Sequence, residues 1–275
     1  MVKTLHTICE LRAPRTRCAT VLLGLGLCSQ MVAQPVAATG LAETHTATSS
    51  LALSSDVEGS RVTTAKRAVA SAGQLIVIGF MGGNVSGGNL VHREALVARD
   101  LQKLYPLDLQ AAVFANSDWK KALQTLLLHL DAKGAPSEEE KHGARIILYG
   151  HSWGASEAVT MARRLQQLGI PVLLTIQIDS VEKLNENDGS IPPNVREAVN
   201  FYQSEGLLHG RSSITATDPK QTTILGNYEM SYREHPIACD GFPWFARAFM
   251  KPHIEIENDP AVWDRIVALI RTQMP

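Results

Sequence analysis

Gly150-His151-Ser152-Trp153-Gly154 has the form G-x-S-x-G, a spacing in which a sharp corner lifts a serine hydroxyl clear of a sheet. The flanking glycines fit such a corner because it leaves no room for a neighbouring Cβ. The chemistry on offer is attack on an acyl carbonyl, but a serine hydroxyl is a weak nucleophile at neutral pH and needs a base within hydrogen-bond reach. His253 is the candidate base. It follows Phe249-Met250-Lys251-Pro252 and precedes a terminal helical pattern from Ala261 to Ile270, which predicts a loop histidine just before the last helix. His151 adjoins the serine and is expected to point elsewhere, while His92, His209 and His235 read as surface or core histidines. A base of this kind needs a carboxylate to hold its tautomer and stabilise the imidazolium. Asp179, at the end of the apolar run Val172 to Ile178, is the first choice, with Asp218 and Asp240 as rivals. The third requirement is a cradle for a developing oxyanion. Gly79-Phe80-Met81-Gly82-Gly83 follows an apolar run, and its glycines let backbone N–H groups face an anion, Phe80 or Met81 supplying one donor and Trp153 the other.

Other chemistries find less support. The stretch Gly79 to Asn89 is glycine-rich, but it has neither the G-K-[ST] ending of a phosphate loop nor the G-x-G-x-x-G spacing of a dinucleotide site. Asn185-Glu186-Asn187-Asp188-Gly189 lacks the acidic first position and distal glutamate of a calcium loop, which leaves a solvated turn. No H-E-x-x-H and no paired Cys/His spacing indicates a metal site, and the proposed chemistry requires no cofactor.

These groups must be positioned by regular elements. Gln74 to Phe80 is a short β-branched apolar run; Arg93 to Tyr105 carries apolar residues at helical spacing and stops before Pro106. Leu109 to Ala115 predicts a strand, and Trp119 to Leu130 a helix with Ser117 or Asp118 at its N-cap. Arg145 to Tyr149 predicts the strand before the serine, Ala155 to Leu168 the helix after it, and Val172 to Ile178 a further strand. Continuous apolar strands separated by helices predict an α/β fold, a mostly parallel sheet with helices on both faces, in which ligands gather at the carboxyl ends of strands. The segment 181–252 breaks the rhythm with Pro192-Pro193, several glycines and eight of the fifteen aromatics. Two readings stay open for it: a cap-like insertion forming an acyl pocket after the acid-bearing strand, or ordinary edge structure with Thr222 to Tyr228 as one more strand.

The 275 residues carry a formal charge of −1 and are 45% hydrophobic. That composition describes a globular protein and gives no electrostatic footprint for nucleic acid. No apolar run is long enough to span a bilayer. Lys3, Arg12, Arg15 and Arg17 precede an apolar segment from Cys18 to about Val32, and Met31-Val32-Ala33 offers a small-residue cleavage site, with Val36-Ala37-Ala38 as an alternative. Residues 1–33 are therefore predicted to be an export signal, directing the chain to the periplasm or outside the cell. Residues 34–72, rich in Ser, Thr and Ala, are predicted to be a disordered linker, with a short amphipathic helix at Val62 to Ala70. The folded domain then spans 73–275. With Cys9, Cys18 and Cys28 in the leader, Cys239 is left alone and is expected to be a small buried or half-buried residue.

Gly79 to Gly83, Gly150 to Gly154, Asp179 and His253 together resemble the α/β-hydrolase superfamily, over about Gln74 to Pro275. The order serine, acid, histidine is the one that superfamily uses. Ile78 stands where many members have histidine, and the acid falls one strand earlier than in most of them, as in some lipases and thioesterase-like members. The resemblance implies a serine hydrolase acting on a carboxylic ester or thioester through Ser152, Asp179 and His253, with a small-molecule or lipid ester as its partner and a hydrophobic acyl group. A non-catalytic binding protein on the same scaffold and a cofactor-free perhydrolase are the alternatives.

Overall fold

Leu75–Met81 (β1) is buried at all seven positions, which is possible only for a strand covered on both faces and paired along both edges. In the computed structural model, which describes residues 73–274, β1 pairs in parallel with β2 (Leu109–Ala115) on one side and β3 (Arg145–His151) on the other. The predicted leader, the linker and the helix at Val62 to Ala70 lie outside the described residues. Between the strands run α1 (Arg93–Leu104), α2 (Trp119–Leu130), the one-turn α3 (Glu138–His142) and α4 (Trp153–Gln167). The chain continues through β4 (Val172–Ile178), β5 (Ser190–Ile191), β6 (Val195–Tyr202), β7 (Thr215–Ala216) and β8 (Thr223–Glu229). It closes with α5 (Trp244–Phe249), α6 (Lys251–Asn258) and α7 (Pro260–Thr272).

The main sheet has six strands in the order β2-β1-β3-β4-β6-β8, every pair parallel. Strand side chains alternate between faces, and each face has its own core. Ile76, Ile78, Phe80, Ile146 and Leu148 pack with Leu126 of α2 and Val159, Ala162 and Leu165 of α4. Leu75, Val77, Ile147, Tyr149 and Ile176 pack with Leu101 of α1 and Val262, Trp263, Ile266 and Ile270 of α7. The order reverses direction between β1 and β3, where an open parallel sheet leaves a crevice beyond its carboxyl ends.

The segment 181–252 contributes to this sheet. β6 and β8 extend it by two strands, and β8 realises the predicted Thr222 to Tyr228 strand with a one-residue offset. A two-stranded β5–β7 piece stands beside them. The stretch after β8 is different: it holds α5, with Trp244, Phe245 and Phe249 exposed. Edge structure and a short helix with exposed aromatics therefore both occupy the segment, in that order.

Candidate active site

α4 begins immediately after Ser152, two residues earlier than the apolar spacing predicts. Ser152 has φ 55° and ψ −124°, a backbone conformation that costs a non-glycine residue of order 1–3 kcal/mol and persists only where its surroundings enforce it. The enforcement comes from the two glycines. A Cβ on Gly150 would lie 2.3 Å from the Gly154 carbonyl carbon, and one on Gly154 would lie 2.1 Å from the Phe80 carbonyl oxygen. The corner thus folds on itself and presses the start of α4 against the exit of β1.

Strand register places Ser152 beside Asp179. His151 pairs with Ile178, and the Ser152 N–H donates to the Ile178 carbonyl at 2.9 Å. Asp179 is fully buried and itself has a positive φ of 43°. Its Oδ1 accepts from the backbone N–H groups of Gly210 (2.7 Å) and Gln203 (3.2 Å). Its Oδ2 accepts from Gln203 Nε2 (2.8 Å) and from His253 Nδ1 (2.7 Å). Because a carboxylate can only accept, His253 carries its proton on Nδ1 and leaves Nε2 as the free base. His253 is not in a loop. It sits in the first turn of α6, where Pro252 is accommodated because early helix positions need no N–H partner.

Asp179 and His253 are therefore in contact, and Ser152 is held at the adjoining strand end. Among the described residues Ser152 Oγ makes no hydrogen bond, to His253 or to any other group. Asp218 caps a turn through Lys220 N–H, and exposed Asp240 faces Arg247. Neither reaches His253.

Phe80 and Met81 are fully buried at the end of β1. The next residue makes the close approach to the nucleophile: a Cβ on Gly82 would lie 3.3 Å from Ser152 Cβ and 3.1 Å from the His151 carbonyl oxygen. Asn116, at the exit of β2, donates through Nδ2 to the Met81 carbonyl at 3.1 Å and also to Gly83, which pins this turn. Gly79 has another purpose from the predicted one. It lies within β1, and its missing side chain makes room for the Tyr149 ring, which a Cβ would meet at 2.5 Å. Trp153, the first residue of α4, has its ring 42% exposed next to the serine.

His151 is buried, and sequence spacing gave no hint of its neighbours. Its Nε2 donates to the His253 carbonyl at 3.0 Å, and the two rings lie 4.4 Å apart at a 37° tilt. Burial, with His253 and His92 nearby, pushes its pKa well below the usual histidine value, so the ring is neutral. Its Nδ1 faces Glu257 Oε2 at 3.4 Å and Glu94 Oε1 at 4.0 Å. Glu94 also accepts from the Gly82 N–H at 3.4 Å. Burial, aided by the other carboxyl, pushes Glu94 up to about 8, and burial alone pushes Glu257 up to about 8. His92 Nδ1 contacts Glu257 Oε1 at 2.6 Å. Sequence reading passed over this group because its members come from α1, β3 and α6, with no recurring interval between them.

A cavity of about 530 Å³ opens beside Asp179, lined in part by Tyr202, Gln203, Ser204, His209, Gly210 and Arg211. It shares Gln203 and Gly210 with the hydrogen bonds that hold the acid.

No family model matches the chain, and no curated protein matches it. Among solved structures it is similar to one described as RedJ with a PEG molecule bound in the active site, at 12% identity and a TM-score of 0.36, over 72% of this chain and 95% of the other.

Proposed function

We propose that the protein is a serine hydrolase of α/β-hydrolase type that cleaves a carboxylic ester or thioester. The observation that carries this reading is the Asp179–His253 contact at the strand end adjoining a strained Ser152. Ser152 attacks the acyl carbonyl while His253 Nε2 takes its proton. Asp179, held by four donors, keeps the imidazole in that tautomer and stabilises the imidazolium. The oxyanion is received by the N–H of Trp153, the unpaired first amide of α4, and by an amide of Phe80 or Met81 at the exit of β1. Each such donor lowers the barrier by about 3 kcal/mol. His253 then protonates the leaving group and activates water to release the acyl-enzyme. Apo hydrogen bonds in such sites are often long and tighten with substrate, which fits a Ser152 hydroxyl without a partner.

The hydrophobic acyl group is supported by α5, which packs on α6 through Ala246 and Ile254 and leaves Trp244 and Phe249 exposed. Export, to the periplasm or beyond, rests on the pattern of residues 1–33. A fluorophosphonate probe tests the core of the reading: Ser152 is labelled, Ser152→Ala is not, and the same change abolishes hydrolysis of short p-nitrophenyl esters without unfolding the chain. An unlabelled Ser152 would point to a binding protein on this scaffold instead.

A further inference from the structure

Between the start of α1 and the last turn of α6 lies a polar cluster that ester hydrolysis does not use. His92, Glu94 and Glu257 each offer one ligand atom, and these atoms lie within 4.8 Å of one another. Glu94 and Glu257 are only 0% and 2% exposed. Buried carboxylates are ordinarily matched by a cation. Here no Lys or Arg side chain among the described residues forms an ion pair with either; they face the imidazoles of His92 and His151, the Gly82 N–H and one another. Burial lowers the basicity of both rings. A second, independent observation is that Glu94 Oε2 is buried without any hydrogen-bond partner, an arrangement that costs free energy unless something occupies the position it faces. A third concerns His151. Because its Nε2 donates to the His253 carbonyl, its neutral ring turns a lone pair on Nδ1 toward the same carboxylates.

We propose that His92, Glu94 and Glu257, with His151 Nδ1 as a fourth donor in reach, form a binding site for a divalent first-row transition cation of the zinc type. The charge balances once the ion displaces the protons that burial favours on Glu94 and Glu257: two carboxylates and two neutral imidazoles then carry two negative charges, which one divalent ion cancels in a site too dry to leave them bare. The mixed nitrogen and oxygen donors suit zinc or manganese better than the all-oxygen preference of calcium and magnesium. Ligand atoms around a tetrahedral zinc sit about 3.4 Å apart. The 3.4 Å between His151 Nδ1 and Glu257 Oε2 already meets that spacing. The 2.6 Å contact of His92 Nδ1 is with the other oxygen, Oε1, and has to open by less than one ångström, so Glu257 faces the two imidazoles with one oxygen each. Glu257 lies one helical turn beyond His253 on α6. The ion therefore fastens the helix that carries His253 to the start of α1, as a structural clasp beside the hydrolytic groups. Binding is read directly, so the outcome does not depend on whether Ser152 hydrolyses anything.

The test uses the full chain, stripped with EDTA and dialysed at neutral pH against micromolar zinc, with metal content measured by mass spectrometry and stability by thermal melting. One zinc retained per chain, with a higher melting temperature than the stripped protein, is the expected result. The double variant Glu94→Gln, Glu257→Gln should lose at least about a hundredfold in affinity, which separates this site from histidines elsewhere in the chain. His92→Gln, at the half-buried rim, gives the same comparison should the double variant fail to fold. Zinc retained at less than a tenth of an equivalent by the unaltered chain overturns the proposal, as does equal retention by the variants. In either case the two carboxyls are neutralised by protons instead.

Discussion

Replacing Asp179 by asparagine isolates what the acid does, because the structure dictates how the amide must sit. Oδ1 receives two backbone N–H groups, from Gly210 and Gln203, and a backbone donor cannot turn away. The amide oxygen must occupy that position, which forces the NH₂ into the place of Oδ2, facing His253 Nδ1 and Gln203 Nε2. Gln203 cannot flip to meet it, because its Oε1 already accepts from the N–H groups of Glu205 and Gly206 and its Nε2 donates to Leu208. The adjustment therefore falls on His253: Nδ1 becomes the acceptor and the ring proton moves to Nε2. A ring protonated on Nε2 cannot take a proton from Ser152. In enzymes with this arrangement the same change costs about 10⁴ in kcat, equal to about 5.4 kcal/mol of barrier. The donor-against-donor contact with Gln203 costs about 1–3 kcal/mol of stability. The positive φ at this position is no obstacle, since asparagine tolerates that region well. Steady-state hydrolysis of a p-nitrophenyl ester, with a thermal melt on the same sample, reads both quantities. A folded variant that keeps more than a tenth of the wild-type kcat would refute the assignment of His253 Nε2 as the base.

Five further outcomes are expected. Gly154→Ala puts a Cβ 2.1 Å from the Phe80 carbonyl oxygen, so α4 must retreat by about 1 Å; a loss of about 3 kcal/mol and of esterase activity is expected. Gly88→Ala, with open space around it, should stay within about 0.5 kcal/mol by denaturant melting. Asn116→Ala removes the bonds that pin Met81 and Gly83 and should cost about 1–3 kcal/mol, with kcat reduced more than KM is changed. Changing Trp244 and Phe249 to alanine together should raise KM for long-chain esters and leave short-chain turnover and melting temperature near wild type, since both rings are exposed. Cys239 is buried and its thiol is pushed up to about 11, chiefly by burial, so about one in a thousand is thiolate at pH 8. Peptide mapping after native iodoacetamide treatment should find Cys239 unmodified, and rapid labelling would contradict its placement.

What was legible in the chain were the elements whose pattern is local. Leu109–Ala115, Trp119–Leu130 and Val172–Ile178 coincide with their predicted limits, because continuous burial writes an unbroken apolar run and a helix resting on a sheet writes a 3.6-residue stripe. The serine corner was legible in part for a similar reason: Gly150 answers a contact with Gly154 four residues on, although Gly154 answers one with the distant Phe80. β6 was not. Arg196, Glu197 and Asn200 interrupt its apolar residues, and only pairing with β4 and β8 makes it a strand. The helix around His253 was hidden by Pro252, which reads as a breaker until its place at a helix start is known.

The sequence by itself determined the fold class and nominated Ser152, Asp179 and His253, since residue type and position along a strand or loop limit which groups can gather at one sheet edge. Only the tertiary structure decided that Asp179 rather than Asp218 or Asp240 meets the imidazole, and that His92, Glu94, His151 and Glu257 share one buried space. Those outcomes depend on strand register and on how α6 docks. Both are set by packing between segments remote in the chain, and such contacts leave no periodic trace in the residues that make them.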